Sequence, residues 1–85
     1  MSSGSTVHFY SEEPKSVQEI GEFLKTVGEK LSSEGSFNLQ QGETQHNISP
    51  SGATKLEVKY KTKNNKHELE IEIEWKPGVD EVVIK

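Results

Sequence analysis

Three features of the chain predict an α+β domain: a single helix packed on one face of a mostly antiparallel sheet, in the order β-α-β-β-β-β. Strict alternation of charged and apolar residues in "TKLEVKYKTK" and "HELEIEIEW" is the period of strands with one dry face and one wet face. The stretch "SVQEIGEFLKTVGEKLSSEG" repeats its apolar residues at intervals of three and four, the period of a helix with one buried stripe. Asn64 and Asn65 sit between the two alternating tracts. Asparagine tolerates the positive φ angles of a type I′ hairpin turn, so the tracts are expected to fold back on each other.

The elements follow in order. Residues 1–6, "MSSGST", are small and polar without periodicity and read as a disordered tail. "VHFY" at residues 7–10 is β-branched and aromatic and predicts a short first strand, with Val7 and Phe9 on one face. Ser16 followed by Glu19 is a capping-box pattern, which starts the helix near Val17. Val17, Ile20, Leu24, Val27 and Leu31 form the stripe, with Phe23 at its margin. Gly21 and Gly28 lie beside the stripe, and the expectation is that they allow the helix to approach a sheet closely. Gly35 stands where a left-handed C-cap ends a helix.

After the helix the period becomes alternating. A hairpin turning at "QGET" should pair Leu39 with His46 and Phe37 with Ile48, and Pro50, Ser51 and Gly52 stop it. A two-residue turn at Asn64 and Asn65 sets the long hairpin. Tyr60 then faces Leu69, Val58 faces Ile71, Leu56 faces Ile73 and Thr54 faces Trp75. On the opposite side Lys61, Lys59 and Lys55 oppose Glu68, Glu70 and Glu74, and Glu57 opposes Glu72. The domain thus spans residues 7–76. Residues 77–85, ending in "VDEVVIK", form a C-terminal tail with enough β-branched content for an extra edge strand.

Composition limits what such a chain can do. Its 85 residues supply one thin core, too small to surround a catalytic cavity as well. The hydrophobic fraction is 29% and the charged fraction 28%, a balance that would suggest disorder if the patterning did not override it. With no cysteine, disulfides, thiolate metal sites and cysteine nucleophiles are excluded. No apolar run approaches the roughly 20 residues that cross a bilayer, and "MSSGSTVHFY" lacks the basic and apolar regions of a signal peptide. The expectation is a cytoplasmic protein without membrane contact. A net charge of −4 opposes general nucleic-acid binding, which draws on counterion release by a basic surface.

The capped helix with "EFLKTVGEKL", the hairpin ending at Ser49 and Pro50, the "LEVKYK" strand and the closing "LEIEIEW" together resemble the amphi-Trp domain family, small domains of archaea and bacteria. The resemblance covers residues 7–76, and its most specific part is the amphipathic last strand ending in tryptophan. It implies an architecture and supplies no catalytic residues. His46 departs from the aliphatic residue that such sequences carry in that hairpin.

The chemistry on offer is sparse. Glu68, Glu70, Glu72 and Glu74 form a row spaced roughly 6.5 to 7 Å apart along a strand, whereas a calcium ion draws about six to eight converging oxygens. His8, His46 and His67 show no metal-ligand spacing. The serines fall at termini, caps and turns, and the glycines form no phosphate-cradling loop. The sequence therefore predicts no catalytic residue, no metal and no cofactor, and a non-enzymatic interaction or structural module. Its expected partner is a protein or peptide strand at a sheet edge, or a second copy in a weak homo-oligomer. The first alternative is a weak electrostatic contact with nucleic acid through Lys59, Lys61, Lys63 and Lys66 at the hairpin tip. A small enzyme or a cation binder is the second. Trp75 is read as the aromatic that closes the open end of the core, against the competing role of an exposed binding platform.

Overall fold

The computed structural model describes residues 4–77. It contains helix α1 (Val17–Glu34) and four strands, β1 (Phe37–Gln41), β2 (Thr44–Ile48), β3 (Ala53–Lys63) and β4 (Lys66–Lys76). The architecture is α+β, in the order α-β-β-β-β. The chain divides into two compact units, Met1–Ser49 and Pro50–Lys85.

In the first unit the helix begins and ends where its local chemistry dictates. Four amides at a helix N-terminus lack intrahelical partners, and here the cap supplies one acceptor while the chain returns another. Ser16 Oγ accepts the Glu19 amide at 3.0 Å, and Glu19 Oε1 accepts the Ser16 amide at 2.9 Å. Gly35, at φ 73°, closes the other end, and its amide donates to the carbonyls of Leu31 at 3.0 Å and Lys30 at 3.1 Å. A left-handed residue costs glycine nothing because it has no Cβ.

β1 and β2 pair antiparallel with Phe37 opposite Ile48 and Leu39 opposite His46, the register read from alternation. Gly42 turns the chain at φ 61°, and across the ladder Asn47 Nδ2 donates to Asn38 Oδ1 at 2.9 Å. Helix α1 lies against β1. Val27 and Leu31, in the C-terminal half of the stripe, are half-buried, as are Phe37, Leu39, His46 and Ile48. Val17, at the start of the stripe, is 86% exposed. The apolar centre of this unit therefore lies at the C-terminal half of α1.

In the second unit β3 and β4 form an antiparallel ladder running from Ala53 opposite Lys76 to Lys63 opposite Lys66. Asn64 at φ 51° and Asn65 at φ 68° make the turn. Both values are left-handed, as a type I′ turn requires, and that turn matches the natural twist of the strands it joins.

Three expectations change. Residues 7–10 form no strand. A strand exists by pairing, so β-propensity alone does not make one; this segment instead meets β2 through side chains, with the Phe9 ring edge-on to His46 at 6.2 Å between centroids. The strands form two two-stranded sheets, β1-β2 and β3-β4, separated by Pro50, Ser51 and Gly52, where proline has no amide to donate to a ladder. A Cβ built at Gly21 or Gly28 meets no atom within 4 Å, so neither glycine mediates a close approach. The C-terminal tail with β-branched content for an extra edge strand, residues 79–85, and the first residues of the N-terminal tail lie outside the described residues.

Two predictions follow from α1. Replacing Gly21 and Gly28 with alanine should stabilise the protein by about 1 kcal/mol at each position, the helix-propensity difference, read as a raised denaturation midpoint. Accepting the Ser16 amide holds the Glu19 carboxyl below its ordinary pKa of 4.5. A lowered folded-state pKa adds stability that is fully present above the ordinary value and is lost as pH falls through the lowered one. Helix ellipticity at 222 nm should thus decline in acid below that range, and Glu19→Gln should flatten part of the decline relative to the parent protein.

Candidate functional site

The β3-β4 hairpin carries nearly all the residues that the sequence analysis singled out. Its length is what makes it a surface: each strand has 11 residues, about twice the common strand length. Because side chains alternate across a strand, the register puts Leu56, Val58, Tyr60, Leu69, Ile71, Ile73 and Trp75 on one side. Lysines and glutamates take the other.

The charged side is organised row by row. Lys55 Nζ lies 3.3 Å from Glu74 Oε1, and Lys59 Nζ lies 3.9 Å from Glu70 Oε1. Lys61 reaches Glu68 at 3.8 Å and Glu70 at 3.9 Å. These groups are about half exposed, where solvent and salt weaken each pair to a small stabilisation. Their larger effect is on register, because a one-residue slip of the ladder would break all of them together. Glu57 opposes Glu72, and Lys63 opposes Lys66. Among the described residues no ion pair involves any of those four.

Of the four lysines expected to make an electrostatic contact, Lys59 and Lys61 are therefore engaged by glutamates, while Lys63 and Lys66 stand together at the turn. The structure brings all four onto one face of the hairpin tip.

Trp75 sits at the opposite end, facing Thr54 across the ladder. It is half-buried, more covered than the neighbouring apolar residues of β4. It is one of the residues around a shallow, open hollow that Ala53, Thr54, Lys55, Ile73, Glu74 and Lys76 also line.

Two groupings escaped the sequence analysis. Tyr60 hydroxyl and His67 Nδ1 are 2.6 Å apart, and their rings stack at 6.0 Å with an interplanar angle of 19°. They are diagonal neighbours in the ladder, within reach for long side chains. Alternation already placed His67 on the Leu69 side, so the signal was present in the register. His8 and His46 approach to 6.3 Å between ring centroids. No spacing could have shown this, because residues 7–10 lie in an irregular segment. Among the described residues no three His, Asp or Glu side chains gather as metal ligands.

The final strand is amphipathic and carries Trp75 next to its last residue, and the family model for the Amphi-Trp domain matches residues 1–82. The chain belongs to the Amphi-Trp domain family. The match runs across both units of this Amphi-Trp protein. No curated protein and no solved structure matches the chain. Among the described residues no helix is long and apolar enough to cross a membrane.

The like-charged row is open to a direct test. Changing Glu72→Lys would set a lysine opposite Glu57, exchanging a repulsive cross-strand pair for an attractive one. The expected gain is about 0.2 to 1 kcal/mol, measured by denaturant unfolding, and it should shrink at high salt as screening removes both the repulsion and the attraction.

Proposed function

We propose that this Amphi-Trp protein is a non-enzymatic interaction module that associates through an edge of the β3-β4 hairpin. The observation that carries the reading is the combination of a long, regular ladder with outer edges that meet no further strand among the described residues. An unpaired edge presents a row of amides and carbonyls that another extended chain can satisfy, and proteins use such edges for strand addition. The apolar side of the ladder adds to this. Leu56, Val58, Tyr60 and Leu69 are each at least 60% exposed, so a joining strand that alternates in phase would cover part of them and gain hydrophobic stabilisation.

A chemical reaction fits this surface less well. General acid-base catalysis uses two groups held in different environments across a cleft, whereas the carboxylates of β4 share one open face with lysines beside them. Nucleic-acid contact is also the weaker reading. Two of the tip lysines already have glutamate partners, and a net charge of −4 opposes binding that draws on counterion release. The proposal includes a cytoplasmic setting, which the charge-rich composition supports.

Sedimentation velocity over a hundredfold concentration range tests the self-associating form of the module. Edge pairing between copies predicts a weight-average mass that climbs above the monomer value as concentration rises. A constant monomer mass throughout would exclude self-association and leave only a foreign strand as partner.

A further inference from the structure

The two outer edges of the long hairpin differ in charge, and this difference specifies which strand can join. On the water-facing side β3 carries Lys55, Glu57, Lys59, Lys61 and Lys63, while β4 carries Glu68, Glu70, Glu72 and Glu74 between Lys66 and Lys76. The ladder is thus positive along one edge and negative along the centre of the other. We infer that the outer edge of β4 selects an extended basic strand, with lysine or arginine at alternate positions and apolar residues between them, running antiparallel to β4. This inference rests on the sheet-edge reading above and adds the chemistry of the partner.

The geometry follows from the turn. A two-residue type I′ turn makes its flanking residues, Lys63 and Lys66, a mutually hydrogen-bonded pair. Every second row then repeats that pattern, so the glutamates of β4 spend their backbone groups on β3. The amides and carbonyls of Leu69, Ile71 and Ile73 point outward instead. A strand arriving at that edge would form its hydrogen-bonded pairs with these three residues. Its residues opposite Glu68, Glu70, Glu72 and Glu74 would fall in non-hydrogen-bonded pairs, where the strands approach to about 4.5 Å between Cα atoms, against about 5.5 Å in the other pairs. Side chains lie closest there, so charge matters most at the positions where β4 is acidic.

The inner edge of the same strand shows the preference being met. Lys55, Lys59 and Lys61 of β3 lie 3.3 to 3.9 Å from Glu74, Glu70 and Glu68. Glu72 instead faces Glu57, and a basic strand on the outer side would supply the cation that β3 does not. The same logic excludes symmetric pairing of β4 with β4 of a second copy, which would set glutamate against glutamate through the centre of the strand. Like charges directly opposite destabilise a ladder.

The test uses the full chain and a fluorescent peptide with the sequence of residues 54–63, "TKLEVKYKTK", which has lysine at four of its five alternate positions and glutamate at the other. Binding is read by anisotropy and by amide exchange at single residues. The inference predicts that the peptide binds, that binding weakens as salt rises, and that Leu69, Ile71 and Ile73 amides gain protection while Lys59 and Lys61 amides of β3 keep theirs. Exchanging the four lysines of the peptide for glutamate should weaken binding at least tenfold. Equal binding of both peptides with the same protection would overturn the charge selection and leave the sheet-edge reading standing. Loss of protection at Lys59 and Lys61 would mean that the peptide displaces β3, which would also overturn the inference. If neither peptide binds, the inference fails and so does partner binding at this edge.

Discussion

The left-handed pair Asn64 and Asn65 determines which residues of the long hairpin meet, and the organisation of the second unit depends on that register. Side chains alternate with a period of two, so a slip of one residue would turn the apolar row toward the charged face along the whole ladder. Asparagine is a weaker residue for this turn than glycine, since only glycine enters the left-handed region without steric cost. The ladder compensates through repetition. Three lysine-glutamate rows and three apolar rows all agree with the same turn, and each would be lost in a one-residue slip.

The first unit depends on ends more than on a centre. No described residue is fully buried. The capping box at Ser16 and Glu19 and the glycine cap at Gly35 make hydrogen bonds that any helix of this sequence would need. They work without a deep core. Val27 and Leu31 are the half-buried members of the stripe, and α1 is in contact with β1. The first half of the stripe, from Val17 to Leu24, stays open to solvent, with Leu24 44% exposed.

Legibility divides along the same line. Capping and turn chemistry act over three or four residues, so the start of α1 at Val17, the cap at Gly35 and the turn at Asn64 were readable. Alternation carried the pairing of both hairpins, including the unfavourable Glu57 and Glu72 row. The first strand was not readable, because "VHFY" has strand propensity with no ladder to join. Gly21 and Gly28 misled for a related reason: a glycine in a helix suggests a close neighbour, and only coordinates show whether one is there. On the hairpin the face and row of each candidate residue could be read in advance. Which lysines are neutralised required distances, since Lys61 serves two glutamates and Lys63 opposes another lysine.

The sequence by itself determined the local elements, their caps and turns, and the division of the long hairpin into an apolar and a charged face. Each of these follows from a short-range period or from the conformational freedom of single residues. Only the tertiary structure decided that the strands form two separate ladders, that Phe9 and His8 meet His46, that Tyr60 bonds to His67, and that Trp75 is half-covered at the end of its strand. Those outcomes depend on which groups come together across chain separations that periodicity does not encode. A repeat specifies the face a residue takes, while its neighbour is chosen by the packing of the chain around it.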